Sequence, residues 1–291
     1  MSNEGRFLSE FPWPVAAYRS TPDWIIPDWP APARVRSLLT TRQGGVSRAP
    51  YASFNLGDHV GDDPLAVARN RRQLAERLPA APCWLRQVHG NTAIDAAAAL
   101  RSGQVAVADG AFARAAGVVC AVMTADCLPV LFCDRAGTVV AAAHAGWRGL
   151  QAGILERTVA AMGVPGARLL AYLGPAIGPQ AFEVGAEVRA GFVAAHAEAA
   201  AAFRRPPLPE GCASADPGAE YSPALVGAPG RHSGGWLADI YLLARQCLRR
   251  LGIASIHGGA YCTLQQEALF FSHRRDGVSG RMASLIWLSP E

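Results

Sequence analysis

Three side chains of the kinds that bind transition metals stand out in the sequence: His89, Cys127 and His144. Their local segments are RQVHG (86–90), TADCLPV (124–130) and HAGWRG (144–149). Imidazole and thiolate are the usual ligands of zinc, and three protein ligands leave a fourth position open for water or substrate, as in catalytic zinc sites. If the three side chains converge in the fold, we expect a metalloenzyme.

The spacing of these residues does not match a short metal-binding motif. His89 lies 38 residues before Cys127, which lies 17 residues before His144. This excludes both a zinc-finger pattern and the H-E-x-x-H pattern. The prediction of a shared site therefore depends on the segments around the three residues.

Further segments complete a recognisable pattern: TTRQGGVS (40–47), SFNLGDHVGDD (53–63), ADGAF (108–112), LGPAIGP (173–179) and FFSHRRDGVSGRMASLIWL (270–288). With them, the chain resembles the YfiH-like or laccase-domain family, whose members are described both as multicopper polyphenol oxidases and as purine nucleoside phosphorylases. The resemblance covers about residues 37–288. It implies an α+β fold, a single layered α/β domain over residues 1–291 with mixed β-sheets flanked by helices.

The resemblance also implies an activity. A zinc ion with an open position lowers the pKa of a bound water to about 7, which suits deamination of adenosine by hydroxide. The family resemblance adds phosphorolysis, in which phosphate displaces the purine at the ribose C1′. We therefore expect a zinc-dependent purine nucleoside phosphorylase with adenosine deaminase activity, acting with phosphate on adenosine, inosine, guanosine or methylthioadenosine.

Copper is a less favoured metal for this site. A true multicopper oxidase combines a type 1 site with a trinuclear cluster, which together require many histidines in H-x-H and H-C-H patterns. The chain has seven histidines and no H-x-H pattern. We expect zinc, and no true laccase activity.

Two aspartates are candidates for roles beside the metal. Asp126 directly precedes Cys127 and is our candidate for a general acid or base, or for the acceptor that orients a ligand imidazole. The alternative is a carboxylate that only accepts hydrogen bonds from a turn. Asp109 in ADGAF is a second residue of the same kind, although Ala-Asp-Gly is also an ordinary turn sequence.

A different chemistry would use Cys127 as a nucleophile. Members of the family have been linked to peptidoglycan editing, so the alternative function is a cysteine hydrolase or amidase acting on peptidoglycan precursors, with His144 or His89 as the base. The metal content separates this enzyme from the zinc enzyme. A non-enzymatic zinc-dependent interaction module is disfavoured, because the site lacks a fourth cysteine or histidine.

All 27 basic residues are arginine, which excludes a P-loop lysine, a Schiff-base lysine and an S-x-x-K acyl enzyme. Arg42, Arg148 and Arg274 lie in the family segments and are candidates for binding phosphate or a carboxylate; the alternative is a surface arginine. The net charge of +4 comes from arginines spread along the chain, so nucleic-acid binding is not expected.

Two positions depart from the family pattern. His273 stands where the family commonly has tyrosine, and Gln180-Ala181-Phe182 stands where it has Cys-Cys-Tyr. The first departure puts a substrate hydrogen bond in doubt. The second weakens any catalytic role for thiols in that segment.

The amino-terminal segment MSNEGRFLSEFPWP has two glutamates where a secretory signal needs a basic start and an apolar run. No run of 18 apolar residues follows elsewhere. The seven cysteines are odd in number and include no C-x-x-C pair. We expect a cytoplasmic, monomeric protein with reduced thiols and no membrane partner.

Near-continuous apolar runs between residues 117 and 144 predict strands of one core sheet covered on both faces. Both Cys127 and His144 fall at the ends of these runs. Helices are predicted over 64–78, 149–163, 185–203 and 239–251. The segment 204–235, with six prolines and six glycines, is predicted to be a flexible surface loop.

Overall fold

The computed structural model describes residues 6–7, 24–206 and 235–290. The strands of this part of the chain are, in order, β1 (Arg6–Phe7), β2 (Ile25–Ile26), β3 (Val35–Leu39), β4 (Leu85–Arg86), β5 (Ala93–Asp95), β6 (Ala106–Val107), β7 (Gly110–Ala113), β8 (Cys120–Thr124), β9 (Leu128–Asp134), β10 (Val140–Ala145), β11 (Leu169–Leu173), β12 (Glu183–Val184), β13 (Phe203–Arg204), β14 (Trp236–Ala238), β15 (Ser255–Gly258) and β16 (Met282–Leu288). The helices are α1 (Pro64–Ala75), α2 (Ala96–Ser102), α3 (Trp147–Gln151), α4 (Ile154–Met162), α5 (Ala186–Ala195), α6 (Ile240–Arg250) and α7 (His273–Asp276), with 3-10 turns at Gly166–Arg168 and Ala197–Ala202.

Two mixed or antiparallel sheets form the centre of the fold. The five-stranded sheet has the order β1-β2-β3-β16-β8, and the six-stranded sheet has the order β15-β11-β9-β10-β7-β5. A three-stranded sheet (β12-β14-β13) and the pair β4-β6 lie beside them. The predicted class of mixed sheets flanked by helices is confirmed.

The two large sheets pack face to face between helices. Along β8, Val122 belongs to the apolar core shared with the six-stranded sheet, whereas Ala121 and Met123 belong to the core on the opposite face, which also contains Leu74 of α1. Along β9, Phe132 packs toward the core that contains α4 and α6. Both faces of both sheets are therefore covered, which explains the near-continuous apolar runs.

The prediction of one core sheet for residues 117–144 is wrong in one respect. The three strands form as expected, but β8 pairs with β16 in the five-stranded sheet, while β9 and β10 pair in the six-stranded sheet. The chain passes from one sheet to the other within residues 125–127, and Asp126 takes a left-handed conformation there, with φ of 86°. We call residues 125–127 the crossing segment.

Four helix predictions can be compared with the structure. Helix α1 begins at Pro64, as predicted, with Asp63 as its N-cap, and ends three residues earlier than the predicted 78. Helix α6, capped by Asp239, matches the predicted 239–251.

The other two predicted helices are interrupted. The segment 149–163 is divided into α3 and α4 by Gly153, whose φ of 89° is outside the helical region. The segment 185–203 is α5 followed by a 3-10 turn, because His196 is extended between them, with φ of −150°.

Most of the predicted flexible loop, residues 207–234, lies outside the described residues. The single domain over 1–291 stays a prediction. Among the described helices, none combines the length and the apolar character that crossing a membrane requires.

Candidate metal centre

Cys127 and His144 are brought together by the strand pairing. Cys127 is the last residue of the crossing segment, directly before β9, and His144 lies near the end of β10, opposite Pro129 in the antiparallel register. His144 is 3% exposed, whereas Cys127 is partly accessible. The ends of two central strands therefore hold these side chains on a rigid frame.

His89 comes from an exposed loop between β4 and β5 and has a φ of 59°, unusual for a residue other than glycine. The neighbouring Gln87 fixes this loop to β8. Its amide nitrogen donates to the carbonyl of Met123 (2.8 Å), and its amide oxygen accepts from the N–H of the same residue (2.7 Å). The strained loop conformation is thus held by side-chain contacts.

Asp109, which is fully buried, joins His89 and His144 into one unit. One carboxylate oxygen accepts from Nδ1 of His144 (2.8 Å) and from the backbone N–H of His89 (2.9 Å). The other accepts from the N–H groups of Gly90 (2.7 Å) and Val88 (3.1 Å). Because Nδ1 of His144 is occupied, Nε2 is the ring nitrogen left for a metal.

The donor atoms of the three residues fit a single metal ion. The ligand atoms of His89, Cys127 and His144 all lie within 4.8 Å of one another, and Nε2 of His89 is 3.7 Å from Sγ of Cys127. Bonds of about 2.0–2.3 Å to a tetrahedral zinc ion put a nitrogen and a sulfur ligand about 3.6 Å apart. Small side-chain shifts would complete the site.

Gly146 leaves room for this cluster. A Cβ atom at this position would lie 2.8 Å from Sγ of Cys127 and 3.3 Å from Cδ2 of His89. The sequence HAGWRG therefore has glycine here because two metal-type ligands pack against its backbone.

The electrostatics of the cluster favour a thiolate. Desolvation alone would raise the pKa of Cys127, but the charge of His144 and hydrogen bonds from His144 and His89 outweigh it and lower the pKa to about 6. Burial alone would lower the pKa of His144, but the Cys127 thiolate and Asp109 raise it to about 9. A thiolate at neutral pH is the form that binds zinc.

Asp126 lies beside the cluster but does not orient an imidazole. Its carboxylate accepts from the hydroxyl of Thr263 (2.6 Å) and from the backbone N–H of Arg274 (2.7 Å). The orienting acceptor is Asp109 instead, because the positive φ of Asp126 turns its side chain toward the 263–274 segment. The role of Asp126 as acid or base stays a prediction.

The three candidate arginines have different surroundings. Arg42 donates to the carbonyls of Ala52 (3.0 Å) and Glu267 (3.2 Å). Arg274 donates through Nη1 to the carbonyl of Glu183 (2.9 Å), while its backbone supports Asp126.

Arg148 is exposed and stacks on Trp147, with its guanidinium carbon 4.2 Å from the ring centroid. It lies in the first turn of α3, which begins three residues after His144. The phosphate-binding roles of Arg42, Arg148 and Arg274 stay predictions.

Arg281 lies near the cluster, although the sequence did not single it out. Its guanidinium is partly buried and interacts electrostatically with Cys127 and Asp126. The residue lies within the family segment FFSHRRDGVSGRMASLIWL, which marked this part of the chain as belonging to the family. Nothing in the segment distinguished Arg281 from the other arginines there.

Comparisons with known proteins identify the family of this chain. A family model described as "Multi-copper polyphenol oxidoreductase laccase" matches residues 36–289. The chain belongs to this laccase-domain family. The resemblance predicted from the short segments is therefore confirmed.

Relatives in the laccase-domain family are similar over nearly their whole length. The chain is 54% identical over 265 residues to "Purine nucleoside phosphorylase PA4543" of Pseudomonas aeruginosa, covering 91% of this chain and 98% of that protein. It is 49% identical to "Purine nucleoside phosphorylase YfiH" of Escherichia coli, with the same coverage.

Solved structures share the laccase-domain fold. Protein NMB0706 of Neisseria meningitidis matches with a TM-score of 0.80 at 49% identity, covering 92% of this chain and 99% of that chain. YlmD of Geobacillus stearothermophilus matches with a TM-score of 0.74 at 32% identity, covering 94% and 98%.

The metal-binding side chains limit the kind of metal centre that this chain can hold. Within the described residues, the cluster of His89, Cys127 and His144 is the one group of three or more side chains positioned to hold a metal ion. A trinuclear copper centre needs more histidines than this cluster offers. Of the two departures from the family pattern, His273 begins α7 and is exposed, and Phe182 precedes β12 and is buried beside Arg274.

Proposed function

We propose that this protein is a zinc-dependent purine nucleoside phosphorylase that also deaminates adenosine. The observation that carries the proposal is the convergence of His89, Cys127 and His144 in a chain 54% identical to a protein named purine nucleoside phosphorylase. Candidate substrates are phosphate with adenosine, inosine, guanosine or methylthioadenosine. A zinc ion in the cluster would supply Lewis-acid charge and an open coordination position.

In the phosphorolysis, an oxygen of phosphate forms a bond to the ribose C1′ while the bond from C1′ to the purine nitrogen breaks. The purine leaves with the electron pair and takes up a proton, and the other product is ribose 1-phosphate. The protein must therefore hold an anion at C1′ and supply a proton to the leaving base. Arg42, Arg148 and Arg274 are our candidates for holding the anion, because guanidinium binds phosphate through charge-assisted hydrogen bonds.

Asp126 is proposed as the general acid or base. Its carboxylate directly precedes Cys127, and donors from Thr263 and Arg274 fix its orientation. A fixed carboxylate can take a proton from an attacking water in deamination or pass a proton to a leaving group. Asp109 is a positioning residue, because it contacts the metal ligands rather than the reacting atoms.

A second candidate function follows from one specific observation. Without a metal, Cys127, His144 and Asp109 form the nucleophile, base and orienting carboxylate that a cysteine hydrolase requires. This arrangement suits an amidase acting on peptidoglycan precursors. The names of the relatives support the phosphorylase instead, so the second function is the less supported of the two.

The experiment measures metal content and two activities in one preparation. Purified protein should contain one zinc per chain, release hypoxanthine from inosine only when phosphate is present, and convert adenosine to inosine without phosphate. Cys127→Ala should lose zinc and both activities, while Cys262→Ala, a partly exposed free cysteine outside the cluster, should keep them. Activity in metal-free protein that depends on Cys127 would overturn the proposal and support the hydrolase.

A further inference from the structure

Arg281 is placed beside the crossing segment by strand register. It directly precedes β16, whose first residue, Met282, pairs with Thr124 at the end of β8. Continuing the antiparallel register by one residue brings Arg281 opposite Ala125, next to Asp126 and Cys127. The five-stranded sheet therefore brings Arg281 close to the crossing segment that ends in Cys127.

The backbone and one edge of the Arg281 side chain are fixed. Its N–H donates to Oδ1 of Asn55 (2.9 Å), and Nη1 donates to the carbonyls of Ser279 (2.8 Å) and Gly280 (3.0 Å). Gly57 packs so closely that an added Cβ would lie 2.9 Å from Cγ of Arg281. The guanidinium is thus held in one orientation before any ligand arrives.

The opposite edge of the guanidinium is available. Among the hydrogen bonds of the described residues, none uses Nε or Nη2 of Arg281. By contrast, Arg275 uses all three guanidinium nitrogens on Asp276 and on backbone carbonyls. The parallel N–H groups of Nε and Nη2 are the pair that binds a phosphate or carboxylate through two hydrogen bonds.

The negative charges near the Arg281 guanidinium belong to Cys127 and Asp126. Burial lowers the pKa of Arg281, and the negative charges of Cys127 and Asp126 act against that effect. Neither group forms a direct ion pair with the guanidinium in the described structure, so the positive charge remains free to meet an incoming anion.

We propose that Arg281 binds the phosphate substrate through Nε and Nη2, beside the cluster of His89, Cys127 and His144. This inference rests on the proposed function, because it assigns a residue to the phosphate of that reaction. Among the arginines named from the sequence, Arg42 already donates from Nε and Nη1 to backbone carbonyls, so its Nε–Nη2 pair is not available in the same way.

The test compares Arg281→Gln and Arg281→Lys with Arg245→Gln. Arg245 is a matched control, because it is also partly buried and donates to two backbone carbonyls, of Ile256 and Gly258, away from the cluster. Binding of inorganic phosphate to zinc-loaded protein is measured by calorimetry, and the KM values for phosphate and inosine are measured separately. Circular dichroism confirms folding.

Arg281→Gln should raise the phosphate dissociation constant and KM by about tenfold to a hundredfold, the size of a lost charge-assisted contact, with the inosine KM within about twofold. Arg281→Lys keeps the charge but not the two parallel donors, so it should give a smaller rise. It also supplies the test if Arg281→Gln does not fold. Arg245→Gln should match the wild type.

Unchanged phosphate binding in both Arg281 variants, or equal losses for phosphate and inosine, would overturn the inference. If the wild type binds phosphate but does not catalyse phosphorolysis, the proposed function fails while calorimetry still decides the role of Arg281. If the wild type binds no phosphate, both fail.

Discussion

Replacing Asp109 by asparagine is the most direct test of how the cluster is held. The carboxylate accepts four hydrogen bonds, two on each oxygen, from His144, His89, Gly90 and Val88. An amide has one oxygen, so two donors face an NH2 group whichever way it turns. Each buried donor left unsatisfied costs about 1–3 kcal/mol, so the free energy of unfolding should fall by about 2–6 kcal/mol.

The same substitution should weaken zinc binding. Removing the acceptor that orients a ligand histidine typically lowers metal affinity about tenfold to a hundredfold. Unfolding in urea and competition with a chromophoric chelator would measure the two effects on the same preparations.

Asp95→Asn is the matched control for Asp109→Asn. The Asp95 side chain accepts from the N–H of Ala98 (3.0 Å) as the N-cap of α2. Because asparagine caps helices about as well as aspartate, this variant should unfold within about 0.5 kcal/mol of the wild type. If Asp109→Asn behaves like the control in both assays, Asp109 does not hold the cluster and the reasoning is refuted.

Three further predictions concern the cluster itself. Gly146→Ala should weaken zinc binding at least about tenfold, because its Cβ would displace Sγ of Cys127. The control, Gly90→Ala, should bind zinc normally, because its Cβ would meet its nearest neighbours at 3.5 Å. Competition with a chelator measures both zinc affinities, and equal affinities would contradict the packing argument. In metal-free protein, the thiolate is the reactive form, so alkylation of Cys127 followed by mass spectrometry should lose rate as the pH falls through about 6 rather than through the ordinary 9.0. His144→Ala should raise the pH at which the alkylation rate is half its maximum. If that pH does not change, His144 does not lower the pKa of Cys127. Cys127→Ala should abolish zinc binding measured by mass spectrometry but leave the far-ultraviolet circular dichroism spectrum intact, because the apolar core is independent of the metal; loss of folded protein would make the site structural.

The sequence predicted the convergence of His89, Cys127 and His144 because each lies in a distinctive local segment, and the beginnings of α1 and α6 because helix capping is a local property. It did not separate the roles of Asp109 and Asp126. Adjacency to Cys127 favoured Asp126, but its contact with Thr263 joins residues 137 positions apart, and no local pattern encodes it.

The transfer of β8 to the other sheet was missed for a similar reason. Its pairing with β16 joins Thr124 to Met282, and an apolar run looks the same in either sheet. Arg281 was missed for the same reason, because the pairing of β8 with β16 is what brings the carboxyl-terminal strand to the cluster. The break between α3 and α4 at Gly153 could have been predicted, because an isolated glycine in a helical pattern lowers the expectation of a continuous helix.

The crossing segment is so short that it ties the two sheets together at the metal centre. A slide of one sheet past the other would pull hydrogen bonds out of β8 or β9, and both strands are completely buried. Cys127 and His144, at the ends of β9 and β10, are consequently held in place by this frame, and little reorganisation energy is spent on them when a ligand arrives. Heat should then inactivate the enzyme at the temperature where the whole chain unfolds, and not before.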